Sequence, residues 1–262
     1  MSHDYGMPFL LETPTIADAA ALCAELGLSF VELNLNFPEC QAERLDVQQL
    51  YELKRRYGIY FTIHLEEDCD PFSFNSGIRR AWLENIRNTL MIAQAIDAPI
   101  VNMHLPKGIY ITLPDQRVYL FEKYRDEYRA ALTDLKELCE RELQASQTKI
   151  VIENTDGFTP AEQTAIAELL GSPVFGLTLD IGHSHAVGDR DIPFYQAFDR
   201  RMIHMHAHDA RGKSNHLALG DGDIDLKQRL DWAKRNGARV VLETKTIQAL
   251  RTSVARLQHL IK

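Results

Sequence analysis

Short apolar runs recur along the whole chain, and each is followed by a polar segment and then by a stretch with helical periodicity. Eight runs follow this pattern: FLLE, SFVELN, IYFTIH, PIVNMH, KIVIE, VFGLTLD, MIHMHAH and RVVLE. Runs that are short and almost wholly apolar are typical of strands buried on both faces of a parallel sheet. A doubly wound sheet is the competing architecture, but no glycine-rich phosphate-binding turn follows the first run. The pattern in these 262 residues therefore predicts an α/β fold, a single (β/α)8 TIM barrel over residues 1–262.

Residues that favour helix termini stand between the apolar runs. Side chains suited to cap a helix N-terminus precede four helical stretches: Thr15, Asp46, Thr159 and Asp225. Glycines follow all four stretches: Gly27, Gly58, Gly171 and Gly237. The last helix is expected to begin at about Thr246. These signals predict helices between successive strands, as a TIM barrel requires.

Composition and charge narrow the class of protein. Hydrophobic residues make up 45% of the chain and charged residues 25%, which is ordinary for a globular protein with a sizeable core. The net charge of −8 argues against nucleic acid and anionic membranes as partners. The four cysteines form no C-x-x-C pair, and the N-terminal residues do not resemble a signal peptide. No apolar run is long enough to span a bilayer, so we expect a cytoplasmic protein with reduced thiols.

Almost every apolar run ends in a carboxylate or an imidazole. In chain order these residues are Glu12, Glu32 with Asn34 close behind, His64, His104, Glu153, Asp180, His206 and Glu243. The strand ends of a TIM barrel meet at one rim, where active sites lie. So many carboxylates at one rim would repel one another and raise one another's pKa. A divalent cation at the rim is the simplest way to balance their charge.

The last four runs supply the best ligand set. Its members are Glu153, Asp180, His206 and Glu243. Three carboxylates and one imidazole suit Mn²⁺, Mg²⁺, Co²⁺ or Zn²⁺. His204, His206 and His208 alternate along MIHMHAH, so a strand would point all three to one face. We expect His206 at the rim to be the ligand, His204 to lie deeper in the interior, and His208 to lie beyond the rim, facing substrate or solvent.

Four motifs resemble the last four strand ends of the xylose-isomerase-like TIM barrels: IENTDG, LDIGHSHAVGDRD, HMHAHDARGKSNHLALGDGDID and VLET. That superfamily includes sugar isomerases and epimerases, inosose dehydratases and the endonuclease IV type of DNA-repair enzyme. The resemblance implies that the four residues named above hold a shared metal. It further implies that Glu153 and Glu243 act as catalytic bases on either side of a bound sugar, and that His183 and His216 bind substrate.

The same resemblance bears on the number of ions. His64 and His104, together with Glu153, match the first metal site of the endonuclease branch and form a candidate second metal site. The third site of that branch would use His183, His216 and an aspartate at the position where this chain has Ser214. We therefore expect one or two ions and not three. Acidic residues in the loop LEEDCDPFSFN also argue against a DNA backbone as substrate.

The chemistry expected at such a site is proton transfer on a small polyhydroxy substrate. A metal that holds a hydroxy-carbonyl group polarises the carbonyl, and a carboxylate then removes the neighbouring proton. This predicts a sugar or sugar-phosphate isomerase/epimerase, with an endonuclease IV-like phosphodiesterase and an inosose-type dehydratase as alternatives. Arg211 and Lys107 are loop cations that either bind a substrate phosphate or are ordinary solvated charges. The sequence leaves the oligomeric state open, and a homo-oligomer is compatible with it.

Overall fold

A computed structural model describes residues 4–260 and contains a closed barrel of eight parallel strands. The barrel strands β1 to β8 are Tyr5–Pro8, Phe30–Asn34, Tyr60–His64, Ile100–His104, Lys149–Glu153, Phe175–Asp180, Met202–Ala207 and Arg239–Leu242. Each strand pairs with the next along the chain, and β8 closes the barrel on β1. The predicted TIM barrel is confirmed.

Within residues 4–260, ten α-helices follow the barrel strands. Helices α1 to α10 are Ile16–Glu25, Val47–Tyr57, Ser76–Ala95, Leu120–Lys123, Arg125–Leu143, Pro160–Leu170, Ile181–Ala186, Ile192–Ala197, Leu226–Asn236 and Ile247–Leu260. The Thr15 and Thr159 side chains each accept the backbone N–H three residues on, and both complete a capping box. Gly58 and Gly237 end α2 and α9 in the left-handed conformation. The helix ends predicted from capping residues are therefore confirmed.

The first strand lies earlier in the chain than predicted. The prediction took residues 9–12 as the strand, whereas β1 is Tyr5–Pro8. A Cβ at Gly6 would lie 2.4 Å from the Phe30 ring, so only glycine lets β1 approach β2 here. Glu12 is consequently not at a strand end: it is exposed, and its carboxylate accepts the backbone N–H of Ile247 at the start of α10. The strand-end position predicted for Glu12 was therefore wrong.

Two β-hairpins stand on the loops at the strand ends, and the apolar pattern predicted neither. One follows β4 and pairs Tyr110–Thr112 with Arg117–Tyr119. The other follows β7 and pairs Asp209–Arg211 with Ser214–Leu217. The buried Asp209 carboxylate organises the second, because it accepts the backbone N–H groups of Ala210, Gly220 and Ile224. This hairpin brings the segment that follows β7 back over the barrel mouth.

The four cysteines are all buried and form no disulfide among the described residues. Within residues 4–260, no helix has the length and hydropathy required to cross a membrane.

Candidate metal centre

The predicted ligands lie at or next to the ends of four consecutive strands, β5 to β8. Glu153 stands next to Thr178 on β6, and Asp180 stands next to His206 on β7. Glu243 directly follows β8. One ligand atom from each of Glu153, Asp180, His206 and Glu243 falls within 4.8 Å of the others. The structure thus brings together the four residues selected from the sequence.

The charge pattern of this cluster suits a cation. His206 Nδ1 lies 3.1 Å from Glu153 Oε1 and 3.1 Å from Glu243 Oε2. One imidazole nitrogen donates at most one proton, and it hydrogen-bonds to Glu153. Glu243 Oε2 is left buried with no hydrogen-bond partner among the described residues. A buried acceptor of this kind, with other donor atoms around it, fits a divalent ion.

Glu153 faces two clusters at once. Its Oε1 atom is on the His206 side, whereas Oε2 lies 3.3 Å from His64 Nε2 and 3.2 Å from His104 Nε2. His64, His104 and Glu153 form a second group whose ligand atoms also lie within 4.8 Å of one another. His104 Nε2 is buried and has no hydrogen-bond partner in the described part of the chain. Glu153 is therefore placed to bridge two neighbouring ions.

Asp180 is held from several sides. Its Oδ1 atom accepts the backbone N–H of His183 at 2.7 Å. Asn154 clamps the backbone, because its side chain accepts from the N–H of Asp180 and donates to the C=O. The Tyr195 hydroxyl in turn donates to Asn154 at 2.8 Å. These contacts fix the direction of the Asp180 carboxylate.

His208 lies beyond the end of β7, as predicted, but it is buried against Asp180 and does not face solvent. Strand β7 ends at Ala207, and the chain then turns back into the hairpin, which covers His208. Its Nε2 atom lies 3.1 Å from Asp180 Oδ1. A Cβ at Gly182 would lie 1.9 Å from the His208 ring, so glycine at this position makes room for the imidazole.

A third cluster contains only imidazoles: His183, His208 and His216. His208 Nδ1 accepts the backbone N–H of His216 at 2.8 Å, so the proton of a neutral His208 ring is on Nε2, which faces Asp180. Both nitrogens of His208 are thus engaged, and neither has a free electron pair for a metal. His183 and His216 remain at the surface of the site, and burial lowers the pKa of His216. They suit hydrogen bonds to substrate hydroxyls.

Polar side chains continue beneath the centre into the barrel. His206 Nε2 lies 2.9 Å from Glu32 Oε1, and Thr62 donates to Glu32 Oε2. His204 Nδ1 lies 3.1 Å from the Thr178 hydroxyl, and the residue is completely buried. Burial lowers the pKa of His204 to about 3. His204 is therefore a neutral interior residue, as predicted. Glu32 was predicted at a strand end but lies in the middle of β2, where its carboxylate faces Nε2 of His206.

Asn102 joins this interior chain to the centre. It donates to Glu153 and accepts from the Thr178 hydroxyl at 2.6 Å. Asn102, Asn154 and Lys245 also border the site, although the sequence reasoning did not select them. Asn102 and Asn154 were identifiable by position, since one lies two residues before a strand-end histidine and the other follows Glu153.

The two cations considered for a substrate phosphate are engaged elsewhere. Lys107 pairs with Asp156 and donates to the carbonyl of Gly157 at 3.0 Å. Arg211 donates to the carbonyl of Asp221 and lies 3.5 Å from Asp223. Lys245 is closer to the centre, with its Nζ atom 2.7 Å from Glu243 Oε1.

A cavity of about 430 Å³ opens beside the centre, between the ends of β1, β2 and β8. Its polar lining is Glu32, Asn34, Asn36, His64, Glu67, Glu243, Thr244 and Lys245. Its apolar lining is Pro8, Phe9, Leu10, Leu11 and Phe37. Of the acidic residues in the loop after β3, only Glu67 reaches this cavity, while the Glu66 carboxylate accepts from Asn85 at 3.0 Å.

Comparison with known proteins matches residues 20–260 to the family described as xylose isomerase-like TIM barrel. Two relatives are uncharacterized proteins of Methanocaldococcus jannaschii. MJ1311 is 28% identical over 78% of this chain and 70% of its own length, and MJ1614 is 26% identical over 80% and 81%.

Several solved structures share the fold. A D-tagatose 3-epimerase-like protein superposes with a TM-score of 0.79 at 24% identity, covering 98% of this chain and 97% of its own. The 3-keto-D-glucoside 4-epimerase of E. coli gives 0.77 at 15% identity over 98% and 100%. The IOLI protein, solved with a zinc atom, gives 0.74 at 15% over 98% and 98%.

Proposed function

The chain belongs to the xylose isomerase-like TIM-barrel family, and from this premise we propose that it is a divalent-metal-dependent isomerase or epimerase. Its substrate is a sugar or a related polyhydroxy compound that contains a hydroxy-carbonyl group. Glu153, Asp180, His206 and Glu243 hold the ion, and His64 and His104 with Glu153 hold a second one. The structural neighbours named as epimerases support the choice of reaction class.

One observation carries the proposal: two carboxylates from different sides of the barrel converge on one imidazole. Glu153 and Glu243 both approach His206 Nδ1 to 3.1 Å, and strands β6 and β7 separate them around the barrel. A substrate between them would therefore have a carboxylate on either side of its carbon chain. A pair of bases in this arrangement can remove a proton on one side and return it on the other.

The ion, when bound, supplies a Lewis acid that polarises the substrate carbonyl. Glu153 or Glu243 accepts the proton from the neighbouring carbon, and the same or the opposite carboxylate returns it. Lys245 and His216 both face Glu243 Oε1, at 2.7 Å and 3.5 Å, and they steady this carboxylate. His183 and His216 orient substrate hydroxyls from the open side of the centre.

A phosphodiesterase is the second candidate, and the cluster of His64, His104 and Glu153 favours it. Two features oppose it. Ser214 is a poor ligand and His208 has no free nitrogen, so a third ion lacks ligands. Glu67 and Glu243 line the neighbouring cavity, where a DNA backbone would meet like charge.

The test is exchange of the substrate α-proton with solvent deuterium. Ketohexoses, their phosphates and inososes would be screened with Mn²⁺, Co²⁺ and Zn²⁺, and exchange followed by NMR. Glu153→Gln and Glu243→Gln should each lower exchange at least about 100-fold, the scale of general-base catalysis. Glu25→Gln, which alters an exposed carboxylate on α1, is the matched control and should leave it unchanged. Faster cleavage of abasic DNA than exchange of any sugar would reject the proposal.

A further inference from the structure

We propose that the substrate carries an uncharged, partly apolar substituent beyond its reacting carbons, and that the cavity between β1, β2 and β8 binds this substituent. The inference rests on the proposed function, and it selects a substituted sugar over a sugar phosphate.

The position of the cavity makes it an extension of the metal centre. Glu32, His64 and Glu243 belong both to its lining and to the clusters at the strand ends. A ligand held between Glu153 and Glu243 therefore reaches the cavity without crossing a barrier of protein. The volume of about 430 Å³ lies within the range of about 300–1,000 Å³ that is usual for ligand pockets.

The apolar wall comes from the segment that follows β1. Phe9 and Leu10 are buried there, and the Phe9 ring packs edge-on against Phe37 with centroids 5.0 Å apart. Leu11 is 83% exposed although it lines the cavity. Covering such a side chain with an apolar group of the ligand is favourable by about 25 cal/mol per Å² of apolar surface removed from water.

The charges in the cavity disfavour a phosphate. Glu67 and Glu243 contribute carboxylates, with Glu32 beneath them. Lys245 is the cation that lines the cavity, and it is already paired with Glu243 at 2.7 Å. Lys107 and Arg211 do not line it, and each is paired with an aspartate of its own. A phosphate dianion would meet like charge at short range, whereas a neutral substituent would not.

A matched set of three ligands tests this inference. They are the ketohexose with the fastest exchange in the screen above, its 6-phosphate and its 6-O-benzyl ether. Binding to the metal-loaded protein is measured by calorimetry and turnover by deuterium exchange. We expect the benzyl ether to bind at least about fivefold more tightly than the free sugar, and the phosphate to bind more weakly than the free sugar.

Two variants and one control locate the effect. Leu11→Ser should abolish the advantage of the benzyl ether and leave the affinity for the free sugar unchanged. Leu113→Ser, which alters another exposed leucine outside the cavity, should change neither. Glu67→Lys should make the phosphate bind more tightly than the free sugar.

The outcomes separate the two ideas. Turnover of the free sugar without a preference for the ether, or with tighter binding of the phosphate, overturns the inference and leaves the proposed function standing. An advantage of the ether that survives in Leu11→Ser also overturns it. No exchange with any sugar in the metal-loaded protein rejects the proposed function, and this inference with it.

Discussion

The Nε2 atom of His208 lies 3.1 Å from Oδ1 and 3.2 Å from Oδ2 of Asp180, deep beside the metal centre. The other ring nitrogen accepts the backbone N–H of His216, a residue whose φ of 57° is unusual for a side chain other than glycine. The His208 ring thus connects Asp180, a proposed ligand of the centre, to the hairpin that carries His216. Carboxylates that orient metal ligands, and imidazoles that orient carboxylates, typically tune metal affinity.

Replacing His208 by phenylalanine tests this connection. The phenyl ring keeps the packing against Gly182 and His216 but removes both hydrogen bonds. We expect roughly a 10- to 100-fold loss of metal affinity, because Asp180 loses a partner that orients it. We also expect faster tryptic cleavage in the hairpin at Arg211 and Lys213. The control is His259→Phe, which alters an exposed residue of α10. Unchanged metal affinity in His208→Phe would contradict the connection.

Glu243→Gln should weaken metal binding at least about 10-fold while the protein stays folded. Glu243 Oε2 has no hydrogen-bond partner among the described residues, so removing the charge costs the barrel little when the ion is absent. Calorimetric titration with Mn²⁺ measures the affinity, and circular dichroism checks the fold. Wild-type affinity in this variant would exclude Glu243 from the centre.

Zinc titration of the stripped protein should give at most two tight equivalents per chain. A closed site needs about four ligands, and the group of His183 and His216 offers two. Ser214→Asp supplies the carboxylate that this chain lacks and should add a third equivalent. A third tight equivalent in the wild-type protein would instead mean that His208 gives up its bonds to Asp180 and to the hairpin.

Metal binding should release protons and strengthen as the pH rises from about 6 to about 9. Burial alone would lower the pKa of His64, but its hydrogen bond to Glu153 and the charges of Glu153 and Glu32 raise it to about 9. The ring therefore carries a proton at pH 7, and an ion that takes its electron pair must displace that proton. Calorimetry in two buffers of different ionisation enthalpy counts the protons; binding independent of pH would contradict this.

The buried thiols should be unreactive in the native protein. Their raised pKa should also lower the stability of the fold at alkaline pH. Burial raises the pKa of Cys23 and Cys40 to about 12, whereas an unfolded thiol ionises near pH 8.5. Stability from the protonated thiols is complete below about pH 8.5 and is lost as the pH rises toward 12. A thiol reagent at pH 8 should label all four cysteines only after denaturation, and urea midpoints should fall above pH 9. Rapid native labelling would contradict the burial.

The sequence predicted the barrel and the convergence of Glu153, Asp180, His206 and Glu243 because both follow from short-range periodicity. Strand ends converge in any TIM barrel, and alternation along β7 selected the face that carries His206. The predictions from sequence failed where tertiary packing determines the conformation of a segment or the partner of a side chain. The run from Phe9 to Leu11 is apolar because it packs over a cavity, and this cannot be distinguished from a strand by hydropathy. The partners of Arg211 and Lys107 likewise depend on loops that no local pattern describes.

The buried polar chain beneath the centre has a consequence for how the barrel can be assembled. It runs through side chains of six successive strands: Glu32, Thr62, Asn102, Glu153, Thr178, and His204 with His206. Cutting the barrel between β4 and β5 would leave Asn102 without two partners and Glu32 without both imidazoles. Neither half could then bury its interior face without stranding polar groups. We therefore expect β2 to β7 to fold as one cooperative unit rather than as parts of two half-barrels that fold separately and dock.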